Sequence, residues 1–169
     1  MLKCFTQEIK IIDVLGYFAA GTTTRTSSVI DMGQSANAGG FDAVTFVLSL
    51  GTVTSGSVIT LTAKQNTANS TSSPTPTTIT PNYANVQGST TAQVASQCSL
   101  TVTDAGSSSS KSLALDIILP QERYLFCTVG ITTQNCEIRG IVAYLYRLKN
   151  IPAALDTSVV GIGTFTAQS

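Results

Sequence analysis

The sequence predicts an all-β protein: an antiparallel, two-sheet, jelly-roll-like sandwich of about eight strands. Its apolar residues fall in short runs, most of which alternate apolar with polar side chains, and loops rich in Ser, Thr, Gly and Asn separate them. Charged residues make up only 11% of the chain, and it contains no His and no Trp. At 169 residues the chain is long enough to bury a core within a single domain.

The first half of the chain contributes four predicted segments. The first is ambiguous, because its apolar residues at a spacing near three suit one helical face, whereas its β-branched content suits a strand. The third and fourth alternate over their whole length and are the clearest strands. In order, the segments are 8–18 (helix or strand), 28–32, 41–50 and 57–65, with a loop at 33–40 and a turn at 51–56.

The stretch at 66–93 differs from its surroundings. It contains Pro74, Pro76 and Pro81 among polar residues and has few apolar anchors. Because proline lacks a backbone donor, the stretch is predicted to be a projecting loop or an edge excursion, not a central strand. Two interpretations stay open: a solvated excursion, and an arm or loop that contacts a ligand or a neighbouring subunit.

The second half returns to regular strand patterns. A hairpin connection is predicted at 130–136, between the last two strands. Gly140 interrupts the final strand, and glycine within a strand often marks a β-bulge. Without a bulge there, Ile138, Val142, Tyr144 and Tyr146 would share one face. The predicted strands are 98–103, 111–119, 123–129 and 137–148.

The cysteines are predicted to be reduced and structural. Their spacing contains no C-x-x-C pair, and a zinc site without His would need every thiolate in the chain. A free Cys in a strand usually behaves as a small buried hydrophobe. If a disulfide exists, Cys127–Cys136 is the first candidate, because these residues bracket the predicted hairpin connection. The chain's cysteines are Cys4, Cys98, Cys127 and Cys136.

The charge pattern argues against nucleic acid and membrane as partners. Nine basic and nine acidic residues are scattered along the chain and leave it with no net charge. Phosphate binding needs clustered Lys and Arg, and a membrane helix needs about 20 consecutive apolar residues. We also expect no secretory signal, since the opening residues lack a sustained apolar core. A surface with so little charge repels its own copies weakly, which favours self-association.

Catalysis is not expected. The absence of His removes the commonest general base and triad member. A glycosidase-type carboxylate pair is conceivable, but the acidic residues occupy turn boundaries, strand ends and a solvent-facing strand position. No cofactor is expected and no metal, because the 104–107 segment has one carboxylate and falls short of a calcium loop. The carboxylates considered are Asp31, Asp42, Asp104, Asp116, Glu122 and Glu137.

Four segments of the chain carry a family resemblance: GTTTRTSSVIDMG, FDAVTFVLSLGTVTSGSVITLTAKQN, SLALDIILPQERYLFCTV and TQNCEIRGIVAYLYRLKNIP. In pattern and order, over residues 22–152, they resemble small virion proteins of tailed bacteriophages. The better-known members of this shape are jelly-roll cement, or decoration, proteins of the capsid exterior. The resemblance implies a virion protein made in the host cytoplasm, with the major capsid protein and further copies of itself, as a dimer or trimer, as partners.

Within this interpretation the chain divides into three parts. A sandwich domain at 21–150 is flanked by an N-terminal arm at 1–20 and a C-terminal arm at 151–169. Such arms would add strands to the edge of a neighbour's sheet, where main-chain hydrogen bonds supply the affinity. Aromatic and Arg residues are typical interface anchors. The interface candidates are Arg25, Tyr83, Arg147, Ile151 and Phe165.

The alternative is a carbohydrate- or receptor-binding jelly-roll module of a phage tail or another virion component. Sugar sites favour an exposed aromatic platform, and the chain has no Trp to provide one. Tyr83, in the proline-rich stretch, is the best exposed candidate. Tyr144 and Tyr146 share a strand face, which is more typical of a core or an interface than of a platform.

Overall fold

The computed structural model describes residues 9–33, 40–87, 91–94, 97–101 and 111–148. These residues are almost entirely β-strand. In chain order the strands are β1 (Lys10–Leu15), β2 (Phe18–Gly21), β3 (Arg25–Thr26), β4 (Ile30–Asp31), β5 (Phe41–Val53), β6 (Val58–Asn66), β7 (Thr77–Ile79), β8 (Tyr83–Gln87), β9 (Thr91–Val94), β10 (Gln97–Thr101), β11 (Ser112–Ile118), β12 (Tyr124–Thr132) and β13 (Cys136–Leu148).

The strands form two antiparallel sheets. Sheet A has the order β1-β13-β5-β11-β8, with β2 also paired to β13 beyond β1. Sheet B has the order β3-β12-β6-β10-β9, with β4 paired to β12 and β7 paired to β6. The predicted fold class, an all-β two-sheet sandwich, is confirmed.

The pairing pattern is that of a jelly roll. Strands of the first half pair with strands of the second half in reverse order: β1 with β13, β3 and β4 with β12, β5 with β11, and β6 with β10. The chain therefore behaves as one long hairpin wrapped into two layers, the topology of double-sheet jelly rolls. Most pairs of neighbouring strands are consequently far apart in the sequence.

The core lies between the two sheets. Alternate positions on each long strand point inward, so β11 buries Leu113, Leu115 and Ile117 while its intervening residues are half-buried. The same alternation places apolar side chains from both layers in one continuous cluster. The largest fully buried side chains include Phe46, Leu48, Leu50, Ile59, Leu61, Leu113, Leu115 and Ile117.

The hairpin predicted at 130–136 is wrong. β12 pairs with β6 in sheet B, whereas β13 pairs with β5 in sheet A. The connection between them therefore crosses from one layer to the other, and it passes through Thr133, a non-glycine residue with a φ of 75°. Adjacency in sequence suggested a hairpin, but each strand has a stronger partner in the first half of the chain. The predicted turn at 51–56 also shifts, because β5 continues to Val53.

The segment 1–20 was predicted to be an N-terminal arm, but from residue 10 onward it is part of the sandwich. β1 pairs along β13 from Lys10 to Leu15, and Val14 and Leu15 are buried in the core. This also resolves the helix-or-strand ambiguity at 8–18 in favour of a strand. Residues 1–8 and the predicted C-terminal arm at 151–169 lie outside the described residues.

The proline-rich stretch supplies edge strands to both layers. β7 extends the β6 edge of sheet B, β8 pairs with β11 at the edge of sheet A, and β9 pairs with β10 at the edge of sheet B. Ile79 packs partly against the core. The stretch 66–93 was predicted to be a projecting loop or an edge excursion. Residues 67–76 form a loop, and the strands after them lie at sheet edges.

Candidate interaction surface

One face of the sandwich differs from an ordinary solvent-facing sheet. The described strands form only the two sheets, and the core lies between them, so no described strand covers the far side of sheet A. We call this side the sheet A outer face. Its residues alternate with the buried ones on β1, β5, β11 and β13, and they include Ile11, Asp13, Thr45, Val47, Ser49, Ser112, Ala114, Asp116, Val142, Tyr144 and Tyr146.

Two cross-strand rows form the centre of this face. In the first, the pairing connects Ile11 to Tyr144, Tyr144 to Thr45, and Thr45 to Asp116. In the second, it connects Asp13 to Val142, Val142 to Val47, and Val47 to Ala114. Side chains directly opposite each other on one face are in contact distance. Two of the four positions in the first row and three of the four in the second are therefore apolar or aromatic, and the carboxylates of these rows lie on β1 and β11.

A shallow depression lies within the face. Ile9, Thr45, Tyr144 and Tyr146 line an open space of about 330 Å³. Next to it, the hydroxyl of Thr45 donates a hydrogen bond to Oδ1 of Asp116. The depression is open to solvent over most of its extent, so its shape suits a surface contact better than an enclosed small molecule.

A β-bulge determines that the tyrosines point outward. The pairing of β13 with β5 shifts register between Ile138 and Gly140. Ile138 is buried in the core, but beyond the bulge the buried positions are Ile141, Ala143 and Leu145. The bulge predicted at Gly140 is thus present, and the shared face considered for Ile138 and the tyrosines does not exist. Tyr144 and Tyr146 belong to the outer face and not to the core.

The opposite side of the sandwich has a different chemistry. On the outer face of sheet B, the pairing of β6 with β12 sets Thr62 opposite Thr128 and Thr60 opposite Gly130. At the edge, Thr26 on β3 pairs with Thr128 and is exposed. Hydroxyl groups at these positions remain compatible with water. Among the described residues, the outer face of sheet A is thus the more apolar of the two, and threonines occupy several positions on the outer face of sheet B.

Two buried side-chain amides hold the loops at the end of the sandwich that carries residues 67–76. The buried side chain of Asn66 donates from Nδ2 to the carbonyl oxygens of Ser70, at 2.8 Å, and Pro74, at 3.0 Å. Buried Gln65 accepts from the backbone N–H groups of Gln121 and Glu122 through Oε1. Both buried amides thus organise polar loops, and their hydrogen bonds explain why this loop needs few apolar anchors.

An ion pair closes the same end. Arg123 donates from Nε and Nη2 to the two carboxylate oxygens of Asp31, each at 2.7 Å. Hydrogen bonding to the guanidinium holds the pKa of Asp31 below its ordinary value, against a smaller opposing effect of burial. The carboxylate raises the pKa of Arg123 in turn. This bidentate geometry is a structural clamp between β4 and the segment before β12.

The two cysteines with described side chains are free, buried thiols. Burial raises the pKa of Cys127 to about 12, although the Ser27 side chain opposes the shift. Burial, together with the nearby charge of Glu137, raises the pKa of Cys136 to about 11. The Cys127–Cys136 bridge considered from the sequence is absent. Thiols this far from ionisation are poor nucleophiles and poor metal ligands.

The predicted interface residues are described by the structure only in part. Arg25 lies on β3, with its guanidinium carbon 4.3 Å from the centre of the Phe18 ring on β2, so it connects the edges of the two sheets. Tyr83 lies on β8 at the position opposite Asp116, and Arg147 lies near the end of β13. The side chains of Tyr83 and Arg147, and all of Ile151 and Phe165, are outside the described part.

The residues that prediction from sequence missed are those of the sheet A outer face. Val142 and Tyr144 were assigned to one strand face, typical of a core or an interface, without deciding between the two, and Ile11 belonged to a segment that could have been helical. The alternation of β5 and β11 contains the relevant signal, because Val47 and Ala114 occupy positions where a solvated strand usually has polar side chains. Assigning the face, however, requires knowing which strands are neighbours.

The chemistry available to these residues is limited. Among the described residues, no three or more Cys, Asp or Glu side chains are grouped so as to hold a metal ion. No helix in the described ranges is long and apolar enough to cross a bilayer. Of the carboxylates considered for catalysis, Asp31 is paired with Arg123, Asp116 accepts from Thr45, and Glu137 accepts from the backbone N–H of Thr52.

No family model matches the chain, and the search of curated proteins gives no match.

Proposed function

We propose that the protein is a non-enzymatic structural protein of a virion, which binds the capsid lattice from the outside and stabilises it as a cement protein. The observation that carries the proposal is the sheet A outer face. An outer sheet face that carries the exposed Ile11 beside the half-buried Val142, Tyr144 and Tyr146 is typical of a surface that another protein buries. Jelly rolls recur in viral capsid proteins and in lectins, but the fold serves many functions. The proposal therefore rests on this surface and not on the fold.

The face has the features of a docking surface for a second layer of protein. Tyr144 and Tyr146 provide aromatic anchors near its centre, the class of side chain that dominates binding energy at interfaces. Asp13 and Asp116 provide negative charge on either side of the apolar rows. Such charges select the orientation of a basic partner more than they add affinity. Many copies, each burying a modest area, would together reinforce a lattice.

The partners we propose are the major capsid protein and further copies of this chain, as a dimer or trimer. Self-association is supported by the low charge content and zero net charge of the chain. The buried, weakly acidic thiols of Cys127 and Cys136 support a role without covalent chemistry. The location that follows is the capsid exterior, after synthesis in the host cytoplasm.

Immuno-electron microscopy tests this function directly. Antibodies against the purified protein would be applied to particles released from cells that carry its gene. Regular labelling of the capsid exterior is the expected result. Labelling confined to tails would favour a tail component, and unlabelled particles would contradict a role in the virion.

A carbohydrate-binding module remains the second candidate, and one observation favours it. The depression lined by Tyr144 and Tyr146 lies beside the hydrogen-bonded Thr45 and Asp116. Aromatic faces next to polar groups are the usual elements of a sugar site. Glycan-array binding that is lost in Tyr144→Ala or in Tyr83→Ala would support this candidate. Capsid binding without any glycan signal would reject it.

A further inference from the structure

Leu119 combines a strained backbone with an exposed apolar side chain. It follows β11 directly, and its φ of 53° lies in the left-handed region, where Gly, Asn and Asp are favoured and a residue of this size is an outlier. Its side chain is 62% exposed, and it does not belong to the core cluster of the described residues. Folding alone gives no reason for leucine here, because both the backbone conformation and the solvent exposure favour a small polar residue.

Hydrogen bonds from three sides fix the backbone around Leu119. Its own N–H donates to the carbonyl of Asp42 at 2.7 Å. The N–H of the preceding residue donates to Oδ1 of Asn82, also at 2.7 Å. On the other side, Oε1 of Gln65 accepts from the backbone N–H groups of residues 121 and 122. We call residues 119–121 the Leu119 turn. Backbone strain that the surroundings maintain in this way is typical of functional sites.

The chemistry around the Leu119 turn favours a protein pocket as the partner. The side chains that follow Leu119 in the turn, Pro120 and Gln121, are uncharged, and so is the exposed Asn82 of the adjacent loop. The next basic residue along the chain, Arg123, is already in an ion pair, so it is not available to a phosphate or an anionic headgroup. A convex, apolar tip with an uncharged rim is instead buried by a concave apolar site on another protein.

The Leu119 turn adjoins the sheet A outer face. A third cross-strand row of this face connects Tyr146 to Ala43, and Ala43 to Ile118. Tyr146 and Ile118 are half-buried, and Ala43 between them is buried. Leu119 follows Ile118 in the chain, so it lies at the end of this row. A partner that covers the sheet A outer face therefore reaches Leu119 within one continuous contact.

We propose that Leu119 is an anchor of the capsid contact, and that its side chain inserts into an apolar, uncharged pocket of the major capsid protein. This inference rests on the proposed function and adds to it a residue that carries a large part of the binding energy, as a few residues do at most interfaces. Because the turn is already held in one conformation, binding orders only the leucine side chain, and the entropy cost is smaller than for a mobile loop.

Leu119→Asn separates binding from folding. Asn tolerates the left-handed region and suits an exposed position, so the midpoint of urea denaturation should be at least as high as in wild type. Co-sedimentation with purified particles should show an affinity at least about tenfold weaker, as expected for the loss of an interface anchor. Leu119→Met keeps an apolar side chain of similar volume and should bind nearly as wild type does.

Thr133→Asn is the matched control. Thr133 is also exposed and also has a left-handed backbone, with a φ of 75°. It lies just beyond the far end of β12, a strand that begins close to the Leu119 turn and runs away from it. The substitution therefore relieves the same kind of strain at the opposite end of the sandwich. Its denaturation midpoint should not fall, and its binding to particles should equal that of wild type.

Two results would overturn this inference alone. A lower denaturation midpoint for Leu119→Asn than for wild type would show that the leucine serves the fold. Wild-type affinity in Leu119→Asn, or an equal loss of affinity in Thr133→Asn, would show that the Leu119 turn makes no specific contact with the capsid. A wild-type protein that does not sediment with particles would instead contradict the proposed function, and this inference with it.

Discussion

The carbonyl oxygen of Leu15 lies 2.9 Å from the position that a Cβ atom would occupy at Gly140. Gly140 belongs to the bulge where β13 shifts its register against β5. Before the bulge Ile138 faces the core, and after it Tyr144 faces outward. The close approach of β1 to Gly140 thus fixes the part of β13 on which the outer face depends.

Gly140→Ala should destabilise the protein by about 1–3 kcal/mol, the usual range for forcing an extra carbon into a packed position. The clash is with backbone, so a side-chain rotation cannot relieve it. Urea denaturation followed by circular dichroism measures the change. Gly16→Ala is the control, because a Cβ at Gly16 meets nothing within 4 Å, and its effect should stay within about 0.5 kcal/mol. Equal effects would show that the Leu15 contact is unimportant.

Asn66→Ala should release the 67–76 loop and lower the free energy of unfolding by about 1–3 kcal/mol, because buried hydrogen bonds to two carbonyl groups are lost. Hydrogen–deuterium exchange should rise at Ala68, whose N–H donates to the Asn66 side chain. Asn69→Ala, at an exposed position of the same loop, is the matched control. Unchanged exchange in Asn66→Ala would show that the loop is held by other contacts.

The Asp31–Arg123 pair should make stability depend on acid pH. The pKa of Asp31 is lowered from 3.8 in the folded state, so the folded protein binds this proton more weakly than the unfolded chain does. The stabilisation is therefore present above about pH 4 and is lost as the pH falls through the folded-state pKa. Asp31→Asn should lower stability at neutral pH, and the difference from wild type should shrink in acid. A pH-independent difference would contradict this assignment.

Cys127 and Cys136 should resist alkylation in the folded protein. Their pKa values of about 12 and about 11 leave almost no thiolate at pH 8, and burial blocks access to both. Peptide mapping after iodoacetamide treatment should find both unmodified in native buffer and both modified in urea. Rapid native-state labelling of either cysteine would show that its thiol is accessible in the folded protein.

The strands were predictable from local pattern, but their partners were not. Alternation at 41–50 and 57–65 correctly indicated β5 and β6, because a half-buried strand repeats every two residues whatever its neighbour is. The hairpin predicted between β12 and β13 failed for the opposite reason. Their partners, β6 and β5, are far away in the sequence, and no local signal at Thr133 distinguishes a turn within a sheet from a crossing between sheets.

The candidate surface was harder to predict than the fold. Tyr144 alternates with buried residues, which is compatible with either face until the bulge at Gly140 is located. The segment that contains Ile11 was compatible with a helix or a strand, so the side on which Ile11 lies could not be predicted. Only the registers of β1, β13, β5 and β11 together place Ile11, Tyr144, Thr45 and Asp116 in one row. The property that suggests a function is thus a property of tertiary pairing.

Binding of a capsid by the sheet A outer face can be tested on particles. The most direct measurement is the occupancy of purified particles by wild type, Ile11→Lys and Thr26→Lys, determined by co-sedimentation at matched concentrations. We expect Ile11→Lys to lower occupancy at least several-fold and Thr26→Lys to bind like wild type. Equal occupancy for all three proteins, or a loss confined to Thr26→Lys, would contradict it.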